Sequence, residues 1–190
     1  PGGDGFRRRP FLPQCMEKPA ERCSDDGYAG GAGNGCGVAL FDERTTVNNL
    51  AYSIYDGSLF NLALIASRLH LIWISTVCGK LETRFSYSNK MGWNTFPVPM
   101  LTDKNKEDLT RCAEDILLAR EHHFPATIAE LYDPENMPAD LRAAHARNDE
   151  VLERIYIGRR FKNDTERLEK LFDLYIKTAT SAVPAKGKKS

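Results

Sequence analysis

The segment from Leu59 to Val77 constrains the fold more than any other. Leu59-Phe60-Asn61-Leu62-Ala63-Leu64-Ile65-Ala66-Ser67-Arg68-Leu69-His70-Leu71-Ile72-Trp73-Ile74 puts apolar side chains around most of a helix circumference. A helix that is apolar on all sides must be enclosed by other elements. The run is long enough to cross a bilayer, but Asn61, Ser67, Arg68 and His70 interrupt it, and ionisable groups at bilayer depth are costly. The pattern predicts a single buried spine, capped at Ser58 and ended at Gly79. Arg68 and His70 are its polar exceptions. The plainer reading has Arg68 reaching the surface or an ion pair and His70 hydrogen-bonded at the core edge. The sharper reading gives them a direct role at a ligand.

The chain changes texture on either side of this spine. Its 190 residues suffice for one domain or two small ones. Residues 1–44 carry nine of the 14 glycines and four of the ten prolines, which leaves no apolar periodicity and predicts a low-complexity, largely disordered segment. Gly30-Gly31-Ala32-Gly33-Asn34-Gly35-Cys36-Gly37 is no nucleotide loop, because such a loop needs a strand before it and Cys23-Ser24-Asp25-Asp26-Gly27 is not one. Arg7-Arg8-Arg9 reads as a solvated charge run. From Thr45, Leu50 to Tyr55 is rich in strand formers and Asp56-Gly57 signals a turn.

Beyond the spine, Leu81 to Ser88 alternates as a single strand does. Leu81, Thr83, Phe85 and Tyr87 share one face; Glu82, Arg84, Ser86 and Ser88 share the other. Trp93-Asn94-Thr95-Phe96-Pro97-Val98-Pro99 is an irregular exit, since its prolines forbid a helix. The rest is helical: Thr102 or Asp103 to about His122, a short turn over 126–132, Ala139 to Ile157 behind Pro138, and a last helix to about Thr180. Asn163 and Glu166 give that last helix capping-box spacing. Residues 184–190 form a disordered basic tail.

Charge and cysteine content narrow the function classes. The chain has 26 basic and 26 acidic residues, whereas a free-standing nucleic-acid binder is usually strongly basic. The block 45–100 is mildly basic, with Arg68, Lys80, Arg84 and Lys90 against Asp56 and Glu82. Cysteines at 15, 23, 36, 78 and 112 form no zinc template. An odd count suits a reducing compartment. The opening Pro-Gly-Gly-Asp-Gly-Phe-Arg-Arg-Arg has no apolar leader core and no initiator Met, so a cytoplasmic location and a piece of a longer protein are expected. No constellation makes an active site. His122-His123 lack metal-ligand spacing, Cys78 has no base at a suggestive spacing, and Asp133-Pro134-Glu135-Asn136 reads as a turn. Catalytic residues, cofactor-binding residues and metal ligands are all expected to be none.

Glu82 and Arg84 are the exception. The bland reading is a surface ion pair of little energetic weight. The sharper one uses groove chemistry: Arg reads guanine O6 and N7, and Glu accepts from cytosine N4, so the two could read one C·G pair.

Longer runs carry a resemblance. Ile65-Ala66-Ser67-Arg68-Leu69-His70-Leu71-Ile72-Trp73, Cys78-Gly79-Lys80-Leu81-Glu82-Thr83-Arg84, Tyr87-Ser88 and Trp93-Asn94-Thr95-Phe96-Pro97-Val98-Pro99, then Leu131-Tyr132-Asp133-Pro134-Glu135-Asn136-Met137-Pro138 and Leu141-Arg142-Ala143-Ala144-His145, resemble the C-terminal part of the MmeI-like DNA methyltransferases, the Type IIL restriction-modification enzymes. The resemblance runs from about Val47 to Thr180. It implies an α+β chain: residues 45–100 as the end of a mixed α/β target-recognition domain, and 101–183 as a small helical C-terminal domain. It implies a sequence-specific recognition module of an adenine-N6 methyltransferase, with double-stranded DNA and the methyltransferase catalytic domain as partners. S-adenosylmethionine would serve the full-length enzyme, not this chain, which lacks the family's Asn-Pro-Pro-Tyr motif and its glycine motif. The positions flanking Thr83 help choose a base in this family, so Glu82 and Arg84 are the expected readers, with Lys80, Ser88 and Lys90 as further DNA contacts. Ser86 replaces a common Arg, Met91-Gly92-Trp93 replaces a commoner Val-Tyr, and Gln14 to Arg44 does not correspond, which suggests a rearranged or frameshifted stretch. Two other classes stay open: a helical protein-interaction module, and a non-functional fragment of such an enzyme.

Overall fold

The computed structural model describes residues 14–17, 37–40, 51–54, 57–81 and 84–181; side chains are described for Ile54, 57–78 and 87–180. The spine is two helices rather than one. Helix α1 spans Leu59–Ile65 and α2 spans Arg68–Val77, with a bend of 59° between them. Ser67 makes the break. Its backbone is extended, its hydroxyl donates to the Leu64 carbonyl at 2.6 Å, and its oxygen accepts from the His70 amide at 3.2 Å. A serine capping in this way competes with the continuing helix.

The groups orphaned by the bend find partners. The Ala63 carbonyl, which a continuous helix would pair with the Ser67 amide, accepts instead from Asn148 Nδ2 at 2.8 Å. The Ile65 carbonyl accepts from His70 Nδ1–H at 3.1 Å. The Arg68 amide donates to Asp149 Oδ1 at 2.8 Å. Buried backbone groups must be paired, and the polar interruptions of the apolar run are what pair them here. Ser67→Ala removes both the cap and the donor to Leu64, so it is expected to cost about 1–2 kcal/mol in urea unfolding, at the upper end for an N-cap.

The later helices are α3, Asp103–His122; α4, Ile128–Leu131; α5, Ala139–Ile157; and α6, Asp164–Ser181. Thr102 caps α3 by accepting from the Asn105 amide at 3.2 Å. Thr127 and Glu130 form a capping box on α4. Gly158 ends α5 with φ 76°, a left-handed conformation that glycine adopts without strain. At α6, Asn163 accepts from the Glu166 amide at 2.9 Å, while the Glu166 carboxylate takes the Lys162 amide at 2.6 Å.

These helices make one body. Helix α1 packs on α3, α3 on α5, and α2 on α6. Leu62, Leu64, Leu69, Trp73 and Ile74 lie in the same buried cluster as Leu109, Leu152, Tyr156 and Leu171. Trp73 meets the rings of Phe172 and Tyr175 at 5.3 and 5.6 Å. A second cluster gathers Ile116, Leu131, Tyr132, Met137 and Leu141 around α4.

This corrects the expected α+β class. No mixed sheet is present among the described residues, and where side chains are described most of the core residues lie on helices. The extended pieces are short: β1 Gln14–Glu17, β2 Gly37–Leu40 and β3 Ala51–Ile54 in the antiparallel order β2-β1-β3, then β4 Gly79–Leu81 with β5 Arg84–Ser86. Strands of three or four residues cannot bury a face large enough to organise a domain. The spine therefore encloses itself against α3, α5 and α6. Gly79 is not a C-cap: Cys78, in extended backbone, ends α2, and Gly79 opens β4. Most of the segment 1–44 lies outside the described residues, as does the tail 184–190.

Candidate nucleic-acid interface

The expected single strand over Leu81 to Ser88 is a two-stranded antiparallel ribbon. Its register pairs Gly79 with Ser86, Lys80 with Phe85 and Leu81 with Arg84. The alternation that separated Leu81 from Arg84 is thus replaced by a pairing that sets them opposite each other. Lys80 sits at the centre of β4 and Arg84 opens β5. Glu82 lies outside the described residues.

The ribbon leads into a tightly tied turn. The Gly92 amide donates to the Ser88 carbonyl at 2.6 Å and the Asn94 amide to the Asn89 carbonyl at 2.9 Å. The Thr95 hydroxyl donates to the Met91 carbonyl, and its oxygen accepts from Trp73 Nε1–H at 3.1 Å. The turn is thereby fastened to α2. Ser88 is half-buried at its start, while Asn89, Lys90 and Met91 project into solvent. The fold therefore places Ser88 and Lys90 directly beyond the strand that Arg84 opens.

Below the turn lies an aromatic box. Tyr87, Trp93 and Phe96 surround His70, with ring centroids at 6.0, 6.1 and 5.0 Å and edge-on geometry. His70 is fully buried, and burial pushes its pKa down to about 4, so the ring is neutral at physiological pH. Its Nδ1–H holds the Ile65 carbonyl. The exit Trp93–Pro99 is anchored from the far side, where the Tyr156 hydroxyl donates to the Pro97 carbonyl at 2.7 Å. Sequence reasoning did not find this support. The histidine and the aromatics were visible in it, but nothing in the sequence brings position 70 to positions 87–96.

Arg68 binds Asp164 through both arms of its fork, Nε to Oδ1 at 3.0 Å and Nη2 to Oδ2 at 2.7 Å. The hydrogen bond to Asp164 and that carboxylate's charge raise the arginine's pKa, against its own burial. It therefore joins α2 to α6. Beside it, Arg167 Nε donates to the buried Glu153 at 2.8 Å.

The basic residues of the helical part are largely neutralised on the spot. Lys104 pairs with Asp108, Lys106 with Asp103, Arg111 with Glu107, Arg147 with Asp115, Arg154 and Arg160 with Glu150, and Arg159 with Glu166. Over residues 101–183 acidic side chains outnumber basic ones by 17 to 13, so the helical part carries no net positive charge. Among the described residues no group of three His, Cys, Asp or Glu side chains is placed to hold a metal ion. His122 and His123 part company: His123 reaches Asp140 at 2.9 Å, and His122 lines a cleft of about 340 Å³ with Asp115, Leu118 and Arg147. No single described helix is long and apolar enough to cross a membrane; α1 and α2 together pass by length and composition, and most of their residues are buried in the fold.

Comparison with known proteins follows this division of the chain. Residues 36–100 match the target recognition domain of MmeI, and residues 101–183 match the MmeI C-terminal domain. DNA methyltransferase A of Bacillus subtilis (strain 168) is 40% identical over 138 residues, which are 73% of this chain and 16% of that protein. A solved structure of the Type IIL restriction-modification enzyme MmeI in complex with DNA superposes with a TM-score of 0.78 and 25% identity, over 90% of this chain and 22% of that one. The chain thus spans under a quarter of the length of either relative. It is a target-recognition module joined to a helical C-terminal domain. It belongs to the MmeI-like family of restriction-modification enzymes, of which it is the C-terminal part.

Proposed function

We propose that this chain reads a base pair of double-stranded DNA for an adenine-N6 methyltransferase of the bacterial cytoplasm. The methyltransferase domain and its S-adenosylmethionine site lie on residues other than these. The observation that carries the reading is the β4–β5 ribbon within the segment matched to a target recognition domain. The major groove admits a two-stranded antiparallel ribbon, and its floor presents the donors and acceptors that distinguish base pairs.

In this reading Arg84 donates both arms to guanine O6 and N7. Glu82 accepts from N4 of the paired cytosine. Lys80, Ser88 and Lys90 contact phosphates, which position the ribbon without reading sequence. The helical part holds the ribbon and, with 17 acidic against 13 basic side chains over residues 101–183, leaves the phosphate contacts to the ribbon and its turn. The likeness to a methyltransferase and to an enzyme solved on DNA supports this division of labour.

Exchanging the two residues, Glu82→Arg with Arg84→Glu, is expected to change which base pair the methyltransferase carrying this module modifies. The preference should move by about 1–3 kcal/mol, the size of one bidentate base contact. General DNA affinity should hold, because phosphate contacts supply most of it. Sequencing of methylated sites reads the outcome. A variant that only loses stability, with its target unchanged, would remove Glu82 and Arg84 from the readout. The self-paired helical charges favour one second reading, a module that docks on a protein partner. Binding that weakens with salt at a logarithmic slope of roughly −2, as two phosphate-bound lysines require, decides for DNA; a salt-insensitive complex with a methyltransferase core decides for docking.

A further inference from the structure

His70 is a costly residue at its site. It is wholly enclosed, and its Nδ1–H is committed to the Ile65 carbonyl. That bond leaves Nε2 as the unprotonated nitrogen, which is buried without a hydrogen-bond partner. An orphaned buried acceptor is destabilising, and a leucine would fill such a space with no polar atom. What the histidine supplies to the segment that follows β5 is a flat ring, and three aromatic edges are seated on it. All three belong to the segment Tyr87–Phe96, and Tyr87 follows β5 by one residue.

Gly92 gives the box its second wall. A Cβ there would lie 2.9 Å from Tyr87 Cε2 and 2.9 Å from the Ser88 carbonyl oxygen. Both are closer than real contacts allow, and both atoms are held. The Tyr87 ring is therefore clamped between His70 and the Gly92 backbone. Arg84 stands three residues before Tyr87, roughly 10 Å along extended chain.

We propose that His70 is a positioning residue for the recognition ribbon: by fixing the Tyr87–Trp93–Phe96 box it aims β5, and with it Arg84, without touching DNA. The proposal rests on the reading of β4–β5 as a base-reading ribbon. It adds a residue outside the ribbon on which discrimination depends. A bidentate base contact tolerates displacements of only about 0.5 Å, so a loosened box loses specificity before it loses binding.

Two variants separate the box from simple stability. His70→Asn keeps an N–H for the Ile65 carbonyl and removes the ring. His70→Phe keeps a ring and removes the N–H. The 190-residue chain would be challenged with a pool of short duplexes of randomised sequence, and the bound fraction sequenced. The wild type is expected to prefer one base pair by about tenfold or more, as a bidentate contact gives. His70→Asn should bring that preference to within about twofold while total DNA bound and its salt slope stay put. His70→Phe should retain the preference despite a lower melting temperature. Gly92→Ala should reproduce the loss seen in His70→Asn. Amide NMR signals of Arg84 to Ser86 should shift or broaden in His70→Asn and Gly92→Ala and stay in place in His70→Phe. A folded His70→Asn that discriminates like the wild type overturns the proposal, as does a His70→Phe that loses as much preference. A wild type with no sequence preference refutes the base-reading ribbon instead, and the amide signals then decide alone whether His70 holds it.

Discussion

Cutting the chain between Met100 and Leu101 is expected to leave neither half with a cooperative unfolding transition, although that point is where one family match ends and the next begins. The cut divides the sequence but not the core. Helix α1 packs on α3 and α2 on α6, and both contacts cross the cut. Leu109, Leu152, Tyr156 and Leu171 are buried in the same cluster as the spine. Exposing those four costs on the order of 6–12 kcal/mol at 1.5–3 kcal/mol each, against a total domain stability of about 5–15 kcal/mol. Polar losses add to this. Without α5 the Ala63 carbonyl and the Arg68 amide lose Asn148 and Asp149, and Arg68 loses Asp164. Circular-dichroism melts of 1–100 and 101–190, alone and mixed, set against one transition for the whole chain, test this. A half that melts sharply by itself would show that the clusters are separable. If the expectation holds, exchanging recognition segments between relatives works only when the α5 and α6 partners of the bend travel with them.

How far the sequence discloses this fold depends on the range of the interactions. The long helices α3, α5 and α6 were readable because their signals are local: Thr102 before α3, Pro138 and Gly158 around α5, Asn163 and Glu166 at α6. The burial of the spine was readable from its all-round apolarity. Its bend was not. Ser67, Arg68 and His70 stood out as interruptions, yet the groups that make a bend affordable, Asn148 and Asp149, lie 85 and 81 positions from Ala63 and Arg68. The ribbon was misread for another reason. Two strands of three residues joined by two residues give nearly the same run of alternating types as one strand of eight, and no turn residue marks the join at Glu82-Thr83. The candidate contact residues could be named from the sequence, and the two beyond the ribbon, Ser88 and Lys90, fall on the turn that follows it. The support beneath them, in which His70 meets Tyr87, Trp93 and Phe96, exists only once the helix bends.

Acidification from about pH 7 to about pH 4.5 is expected to destabilise the fold by several kcal/mol, well before the general carboxylate titration. Burial holds both His70 and His145 down to about 4, and the nearby Arg120 charge depresses His145 further. The unfolded chain binds these protons near pH 6.5. The folded pKa lies below the unfolded one, so the stabilising contribution is complete above pH 6.5 and is lost as pH falls toward 4. Each histidine accounts for about 3 kcal/mol at 1.36 kcal/mol per pH unit. Asp149 acts in the opposite sense. Burial raises it to about 6, so the folded carboxyl takes its proton first and offsets part of the loss. Two histidines outweigh one carboxyl. The surroundings explain why neither ring accepts a proton readily. Around His70 the seated groups among the described residues are aromatic rings, which carry no charge to receive an imidazolium. His145 Nε2 accepts from the Tyr132 hydroxyl at 2.7 Å, and that oxygen accepts in turn from Arg120 Nε at 2.7 Å. A proton on His145 would reverse the tyrosine bond and set two cations across one hydroxyl. Urea unfolding at several pH values therefore carries the test in its slope rather than its absolute value. His145→Leu should lower stability at neutral pH because the Tyr132 hydroxyl loses the acceptor for its hydrogen, yet remove roughly half of the histidine loss between pH 6.5 and 4.5. If that variant kept the full acid sensitivity, the protons would be entering somewhere other than these two buried rings.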